Sequence, residues 1–343
     1  MNAQSETSAA RLPAMTDVAK AAAVSHQTVS RVLHGHPNVR PATRERVLAA
    51  IEELGYRPNL AARTLVTGRS NAIGLVTLRT TLFGPVATLY AVEQAAWASG
   101  YSVSVSSVSS IDRRSLSESV ARLVQQAVSG MIIIAPIASS EPALDALPDD
   151  IPAVVVEATP DSDVAAVAVD QIAGARIATQ HLLDLGHRTV AHISGPPDWT
   201  EARRRVEGWR STLEQAGAEV PAVLVGDWSA RSGYDAGCVL AELPEITAVF
   251  AANDNTALGL LRAMSERGRS VPEHLSVVGY DDIAEAAFFT PPLTSIRQNF
   301  AEMGRRSVEL ILRQMETGNR SAERIELTPE LVLRESTAAP AAA

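Results

Sequence analysis

Thr16-Asp17-Val18-Ala19-Lys20-Ala21-Ala22-Ala23-Val24-Ser25-His26-Gln27-Thr28-Val29-Ser30-Arg31-Val32-Leu33 reads as two short helices joined by a tight turn. The Thr16 hydroxyl can cap the first helix by accepting from an unpaired first-turn amide. Val18, Ala19 and Ala22 fall at helical spacing and give that helix one apolar face. Ser25 can cap the second helix, whose Val29, Val32 and Leu33 line a buried side. The other side carries His26, Gln27, Ser30 and Arg31. Donors and acceptors on an exposed helix can reach base edges or phosphates in a major groove. The alternative reading is a helical hairpin inside an ordinary core.

The residues that follow favour the first reading. His34-Gly35-His36-Pro37-Asn38-Val39 is rich in turn formers. No other metal-ligating types cluster with its two histidines, so these read as loop residues near phosphate. A third helix is expected over 41–54, because proline suits a first turn that has amides to spare. Val47, Ala50, Ile51 and Leu54 close a three-helix core, Gly55 ends the helix, and Arg44 and Arg46 face solvent or phosphate. Beyond Tyr56, Pro58 and Asn59 can begin a further helix of about two turns that stops at Gly68 and is too short to stand alone in water. Ala62, Arg63 and Leu65 on one side of it need a partner; a plain linker is the alternative.

Charge is unevenly placed. Of a net −9 over 343 residues, the first 70 carry nine Arg and Lys against five Asp and Glu, a local +4, which leaves −13 for the remainder. That asymmetry suits a small polyanion-binding head on an acidic body and argues against a protein that coats nucleic acid. Hydrophobic residues make up 46% of the chain, enough for two or three domain cores. Cys238 is the only cysteine, which excludes an internal disulfide and a cysteine metal cluster. Lys20 is the only lysine, which removes a P-loop or Schiff-base lysine from everything after the head. No apolar run approaches the roughly 18 residues of a membrane span, and the polar start lacks a signal-peptide core. A cytoplasmic location without membrane contact is expected.

From Asn71 the pattern changes to strands alternating with helices, which implies parallel α/β structure. Strands are expected at 73–78, 101–106, 131–134, 153–156 and 165–169, with helices at 85–99 and 116–128. A second series follows, with helices at 171–185, 201–216, 232–243 and 256–267 and strands at 189–193, 222–225, 248–251 and 276–278. A helix over 300–315 would sit back on the first half. Two such halves imply a cleft with ligands at the strand carboxyl ends. At those ends stand Arg203, Arg204 and Arg205, Trp228, Asn253 and Asp254, and Asp281 and Asp282. Charged and amide groups can take vicinal hydroxyls in pairs while an indole covers the C–H face of a pyranose. Singly, Asp and Asn are common turn residues; as a set at strand ends they point to a sugar site.

These residues resemble the bacterial LacI/GalR family over about 14–336. The resemblance rests on Val24-Ser25 and Gln27-Thr28-Val29-Ser30-Arg31, on Tyr56 with Pro58-Asn59, and on Gly226-Asp227-Trp228-Ser229-Ala230. Ala252-Asn253-Asp254, Ser276-Val277-Val278-Gly279-Tyr280-Asp281-Asp282 and Pro291-Pro292-Leu293-Thr294 add to it. It implies a helix-turn-helix head at 14–58 behind a disordered arm at 1–13, and a hinge helix at 59–70. It implies a periplasmic-binding-protein-like core of two doubly wound parallel-sheet subdomains, 71–169 with 300–327 and 170–299 with 328–336. A disordered tail is expected at 337–343.

By the same resemblance, Thr16, Ser25, His26, Gln27, Thr28, Ser30, Arg31, Asn38, Tyr56, Asn59, Ala62, Arg63 and Leu65 contact DNA. His26, Gln27 and Arg31 read bases, and Leu65 wedges into the minor groove, where a kinked duplex supplies the partner that the short helix lacks. Arg205, Asn253 and Asp281 match the family's hydroxyl-binding trio, Trp228 its stacking indole and Phe300 the aromatic beneath the ligand. Leu82, Pro85 and Thr88 match an apolar lip. Glu157 and Glu201 depart from the pattern, which has an aspartate and a serine there, and Thr88 replaces a larger aliphatic. The implied protein is a homodimeric repressor of carbohydrate genes, released from a palindromic operator by a galactoside or other β-glycoside, with no metal and no cofactor. No leucine-heptad tail for a tetramer is expected. The alternative is a sugar receptor without DNA function, against which the basic head argues. An enzyme is not expected: there is no P-loop, no Gly-x-Gly-x-x-Gly after a strand and no Gly-x-Ser-x-Gly elbow.

Overall fold

The computed structural model describes residues 13–33, 36, 38–56, 70–110, 112–134, 147–148, 150–157 and 164–341. The chain divides into two compact units, Met1–Ser70 and Asn71–Ala343.

The first unit holds α1 (Met15–Ala21), α2 (His26–Leu33) and α3 (Pro41–Leu54). Val18, Ala19 and Ala22 of the first helix and its following turn pack on Val29, Val32, Val47 and Ala50. Ser25 caps α2, its Oγ accepting from the Thr28 amide at 3.2 Å. Thr16 does not cap α1. The helix begins two residues earlier, at Met15 behind Ala14, whose amide donates to Asp17 Oδ2 at 2.8 Å. Gly55 closes α3 in the left-handed conformation that favours glycine, at φ 60°. Tyr56, expected at the DNA, is 7% exposed and joins the three-helix core, so its ring serves packing. The hinge helix, and with it Asn59, Ala62, Arg63 and Leu65, lies outside the described residues, as do 1–12 of the arm.

The second unit begins with β1 (Ala72–Leu78), α4 (Phe83–Ala98), β2 (Ser102–Val108), α5 (Arg113–Gln125), β3 (Gly130–Ile134), β4 (Ala153–Val156) and β5 (Ala165–Val169). It continues through α6 (Gln171–Asp184), β6 (Ala191–Ser194), α7 (Thr200–Gln215), β7 (Leu224–Val225), α8 (Ala230–Leu240), β8 (Ala248–Ala251), α9 (Asp254–Glu266) and β9 (Ser276–Asp281). A 3₁₀ turn (Ala284–Phe288), β10 (Thr294–Arg297), α10 (Phe300–Thr317), β11 (Arg324–Leu327) and β12 (Glu330–Val332) complete it.

These form two lobes, each on a six-stranded sheet, in the orders β11-β5-β4-β3-β1-β2 and β12-β10-β9-β8-β6-β7. The first sheet is parallel throughout, and in the second only β12 runs antiparallel to its neighbour. Helices on both faces explain why β3, β4 and β5 read as unbroken apolar runs: every residue in them is buried. The chain passes between the lobes after β5, after β10 and after β11. The second passage lets α10 pack Met303, Val308, Leu310 and Ile311 on the first sheet beside Ile132, Ile134 and Val154. Each such side chain contributes about 1.5–3 kcal/mol by leaving water. In the second lobe α8 and α9 touch backbone to backbone, because a Cβ on Gly233 would collide with the Thr256 carbonyl.

The tail does not match its expected disorder over 337–341. Ala338 exchanges two 3.0 Å hydrogen bonds with Ser276 Oγ, and His187 Nε2 donates to the Ala338 carbonyl at 3.0 Å. Thr337 Oγ1 lies 3.0 Å from His181 Nε2. Composition gave no hint of this, since the partners are side chains from distant elements. No helix among the described residues is long and apolar enough to cross a membrane.

Candidate effector cleft and DNA-reading face

All ten residues expected at the ligand line one cleft: Leu82, Pro85, Thr88, Glu157, Glu201, Arg205, Trp228, Asn253, Asp281 and Phe300. About 540 Å³ of space lies among these residues, open solvent included. The first lobe supplies the start of α4, the ends of β3 and β4, and the start of α10. The second supplies the segments that follow β6, β7, β8 and β10 and the end of β9. The cleft therefore lies at the strand carboxyl ends of both sheets, where parallel topology leaves loops free to converge.

Arg205 organises the floor. It is 4% exposed. Its Nε donates to Gln171 Oε1 at 2.9 Å, its Nη1 to the Ala252 carbonyl, and its Nη2 lies 3.9 Å from Asp281 Oδ1. The guanidinium stacks 3.7 Å from the Tyr280 ring centroid and faces the Trp228 ring at 5.4 Å. Gln298 closes the circuit, donating to Asp281 Oδ1 at 2.7 Å and accepting from Gln171 Nε2 at 2.9 Å. Asn253 accepts from the Thr256 amide at 2.8 Å, capping α9, and donates to the Trp228 carbonyl at 3.1 Å.

Three of the cleft residues hold left-handed backbone: Glu157 at φ 61°, Trp228 at 71° and Asp281 at 101°. Such conformations cost about 1–3 kcal/mol each and persist where surrounding contacts over-determine them. Glu157 is fastened by the Val169 amide, which donates to its Oε1 at 3.1 Å. Asn253 holds the Trp228 backbone and Gln298 holds the Asp281 side chain. Gly195 lets the indole lie against the chain, because any Cβ there would strike the Trp228 ring.

Burial dominates the electrostatics. It pushes the Glu157 carboxyl up to about 7, against the Val169 amide and Arg205. It pushes Asp281 up to about 6 despite Arg205 and Gln298. Glu201 is raised well above its ordinary value, first by burial and then by Glu157. Behind the floor, burial lowers His192 to about 4, and its neutral ring stacks 4.6 Å from Phe250.

Not every strand-end residue enters the cleft. Asp254 turns inward, accepting from Ser295 Oγ at 2.6 Å and the Ile283 amide at 2.8 Å. Asp282 pairs with Arg297 at 2.7 Å and Arg334 at 2.6 Å. Arg204 pairs with Glu326 at 3.3 Å, and Arg203 is exposed. Conversely, Phe83, Trp199, Gln298 and Met303 line the cleft unexpectedly. Phe83 meets Phe300 edge-on at 5.6 Å, and Trp199 meets Trp228 at 5.6 Å. A search for aromatics flanking each strand end would have found Phe83 and Trp199; Gln298 carried no signal. The Thr88 hydroxyl is spent on the Gly84 carbonyl at 2.9 Å.

In the head, His26, Gln27 and Arg31 are exposed along α2, with Thr16 and Asn38 also exposed. Ser25 and Thr28 share a 2.9 Å hydroxyl contact at the start of that helix, which fixes its first turn. Ser30 is half-buried.

Comparison with known proteins agrees with both units. Residues 14–59 match the model of bacterial regulatory proteins of the lacI family, and residues 179–337 match the periplasmic binding protein-like domain. The lactose operon repressor of Escherichia coli (strain K12) is 36% identical over 326 residues, spanning 94% of this chain and 90% of that one. The lac repressor dimer bound to operator and the anti-inducer ONPF superposes with a TM-score of 0.86 at 34% identity, over 96% of this chain and 100% of that one. A complex of the transcriptional regulator CelR with cellobiose superposes at 0.71 and 33% identity, over 94% and 99%. The chain thus belongs to the LacI family of bacterial regulatory proteins, with a helix-turn-helix DNA-binding head and a periplasmic-binding-protein-like core.

Proposed function

We propose that this protein is a dimeric repressor of genes for carbohydrate use that leaves a palindromic operator when a galactoside or other β-glycoside fills the cleft. The observation that carries this reading is the convergence of Arg205, Asn253 and Asp281 with Trp228 and Phe300 around one cavity. Two amide or charged groups on adjacent hydroxyls, with aromatic faces around the ring, are what a pyranose needs. The relatives support the class, since one is named for the lactose operon and another was solved with cellobiose. His26, Gln27 and Arg31 are the base-reading residues, and Leu65 is the minor-groove wedge.

Sugar binding alters how the two lobes meet, and in a dimer this changes the spacing of the heads. For control, the sugar must favour one state by roughly 1–3 kcal/mol. The coupling is reciprocal, so operator must weaken sugar binding by the same factor. The test selects an operator from random DNA with the full-length protein, then measures its affinity with and without lactose, cellobiose and methyl β-galactoside. At least one sugar should lower operator affinity about fivefold or more. Sugar affinity that is equal with and without operator refutes the reading.

A further inference from the structure

A ligand can bias the angle between the lobes only through contacts that differ between their arrangements. The polar floor of the cleft makes no such contact. The hydrogen bonds and the ion pair of Arg205, Asn253, Asp281 and Gln298 all stay within the second lobe. These groups grip a ligand alike at either angle.

Two aromatic residues do cross. Phe83 belongs to the first lobe, at the start of α4, yet it packs against the apolar core of the second lobe. Trp199 belongs to the second lobe, between β6 and α7, yet it packs against the apolar core of the first. Both are half-buried, and both line the cleft. Each also touches a ring of the cleft wall. Phe83 meets Phe300 at 5.6 Å and 81°, and Trp199 meets Trp228 at 5.6 Å and 69°. Trp228 has no room to retreat toward Gly195, whose backbone lies too close to the indole for even a Cβ. A displaced Trp228 ring therefore presses on Trp199, which lies on the same segment between β6 and α7. The contacts run from Trp228 through Trp199 to the first lobe, and from Phe300 through Phe83 to the second. Close-packed contacts of this kind switch between discrete arrangements and do not deform continuously.

We propose that Phe83 and Trp199 couple the cleft to the lobe angle, each passing the movement of a ligand-stacked ring to the opposite lobe. The proposal rests on the cleft being the effector site and deepens that reading, naming the residues through which occupancy is felt.

The test is a coupling factor, the ratio of operator dissociation constants with and without saturating sugar. It is measured by fluorescence anisotropy on the full-length protein, with operator selected from random DNA and lactose, cellobiose or methyl β-galactoside. Saturation matters: a residue that merely touches the sugar alike in both states changes the concentration needed and leaves the ratio unchanged. The parent ratio of about fivefold or more should fall below about twofold in Trp199→Ala and in Phe83→Ala. Trp199→Phe and Phe83→Tyr, which keep a ring, should retain a larger ratio than alanine. Melting temperatures check folding, and where alanine unfolds the protein, leucine takes its place, keeping an apolar anchor without a ring edge. A parent-sized ratio in a variant overturns that residue's role and leaves the effector reading intact. A ratio as low with the substituted rings as with alanine overturns the ring contact as the carrier. A parent protein that none of the three sugars moves overturns the effector reading and the coupling with it.

Discussion

Replacing Arg205 with alanine should cost the core about as much stability as breaking any buried ion pair, even though the residue is placed to serve a ligand. Truncation strands Gln171 Oε1 and the Ala252 carbonyl, which accept from the guanidinium, at about 1–3 kcal/mol for each buried acceptor left unpaired. Asp281 also loses the charge 3.9 Å from its Oδ1. Because burial already holds that carboxyl near 6, it can take up a proton near neutrality at about 1.4 kcal/mol per pH unit, which caps the electrostatic part. Together these come to about 3–7 kcal/mol near neutral pH, and water entering the cleft to meet the freed acceptors puts the expectation in the lower part, about 3–5 kcal/mol. Urea denaturation, compared by midpoint at unchanged slope, measures it. The deficit should shrink between about pH 7.5 and about pH 5.5, where Asp281 is protonated in the parent protein as well. Arg205→Lys should recover part of the loss, since it keeps the charge without the planar fork. A deficit under about 1 kcal/mol, or one that is identical at both pH values, refutes the coupling of Arg205 to Asp281.

Burial raises Glu157, Glu201, Asp254 and Asp281 in the folded protein, so between their ordinary and folded values the native state binds more protons than the unfolded chain. The stability these four groups contribute should therefore fall as pH rises from about 4 through about 7, opposed by His181, His187 and His192, which burial keeps neutral. Asp281→Asn should remove its share of the fall, and a parent and variant whose melting temperatures keep a constant difference over that window contradict this. Asp112 and Glu302 are held below their ordinary values, chiefly by Ser110 and Arg305 respectively, and their contribution is lost only at more acidic pH. Asn253→Ala removes the α9 cap and the bond to the Trp228 carbonyl; it should destabilise by about 1–2 kcal/mol by denaturation and weaken sugar binding, and an unchanged sugar affinity would argue against Asn253 as a ligand group. Arg31→Ala should lower affinity for the selected operator by about 1–3 kcal/mol in fluorescence anisotropy while sparing binding to random DNA; equal loss on both would mean a phosphate contact.

Much of the core was legible because strands buried on both faces announce themselves as apolar runs, as in Met131-Ile132-Ile133-Ile134. The strands that were not read, β10 to β12, are short and half polar, and tertiary pairing alone defines them. In the cleft, residues at the ends of recognisable strands could be placed from the chain, and Arg205, Asn253 and Asp281 do converge. What could not be read is which of two neighbours turns inward. Asp254 and Asp282 look equivalent to Asn253 and Asp281 in sequence, yet each is consumed by a structural bond. The left-handed backbone that aims Trp228 and Glu157 falls on residues whose identity gives no sign of it.

The three passages of chain between the lobes have a consequence for synthesis. The first lobe is not finished when its fifth strand emerges from the ribosome; it lacks α10, which covers Ile132, Ile134 and Val154, and the edge strand β11. Both are made only after nearly all of the second lobe. A nascent or prematurely stopped chain ending before residue 300 therefore carries an open apolar sheet, a target for chaperones and proteases. The head, a separate compact unit with its own core, is complete long before that. Proteolytic trimming of such a chain would release a DNA-binding fragment that no small molecule can govern.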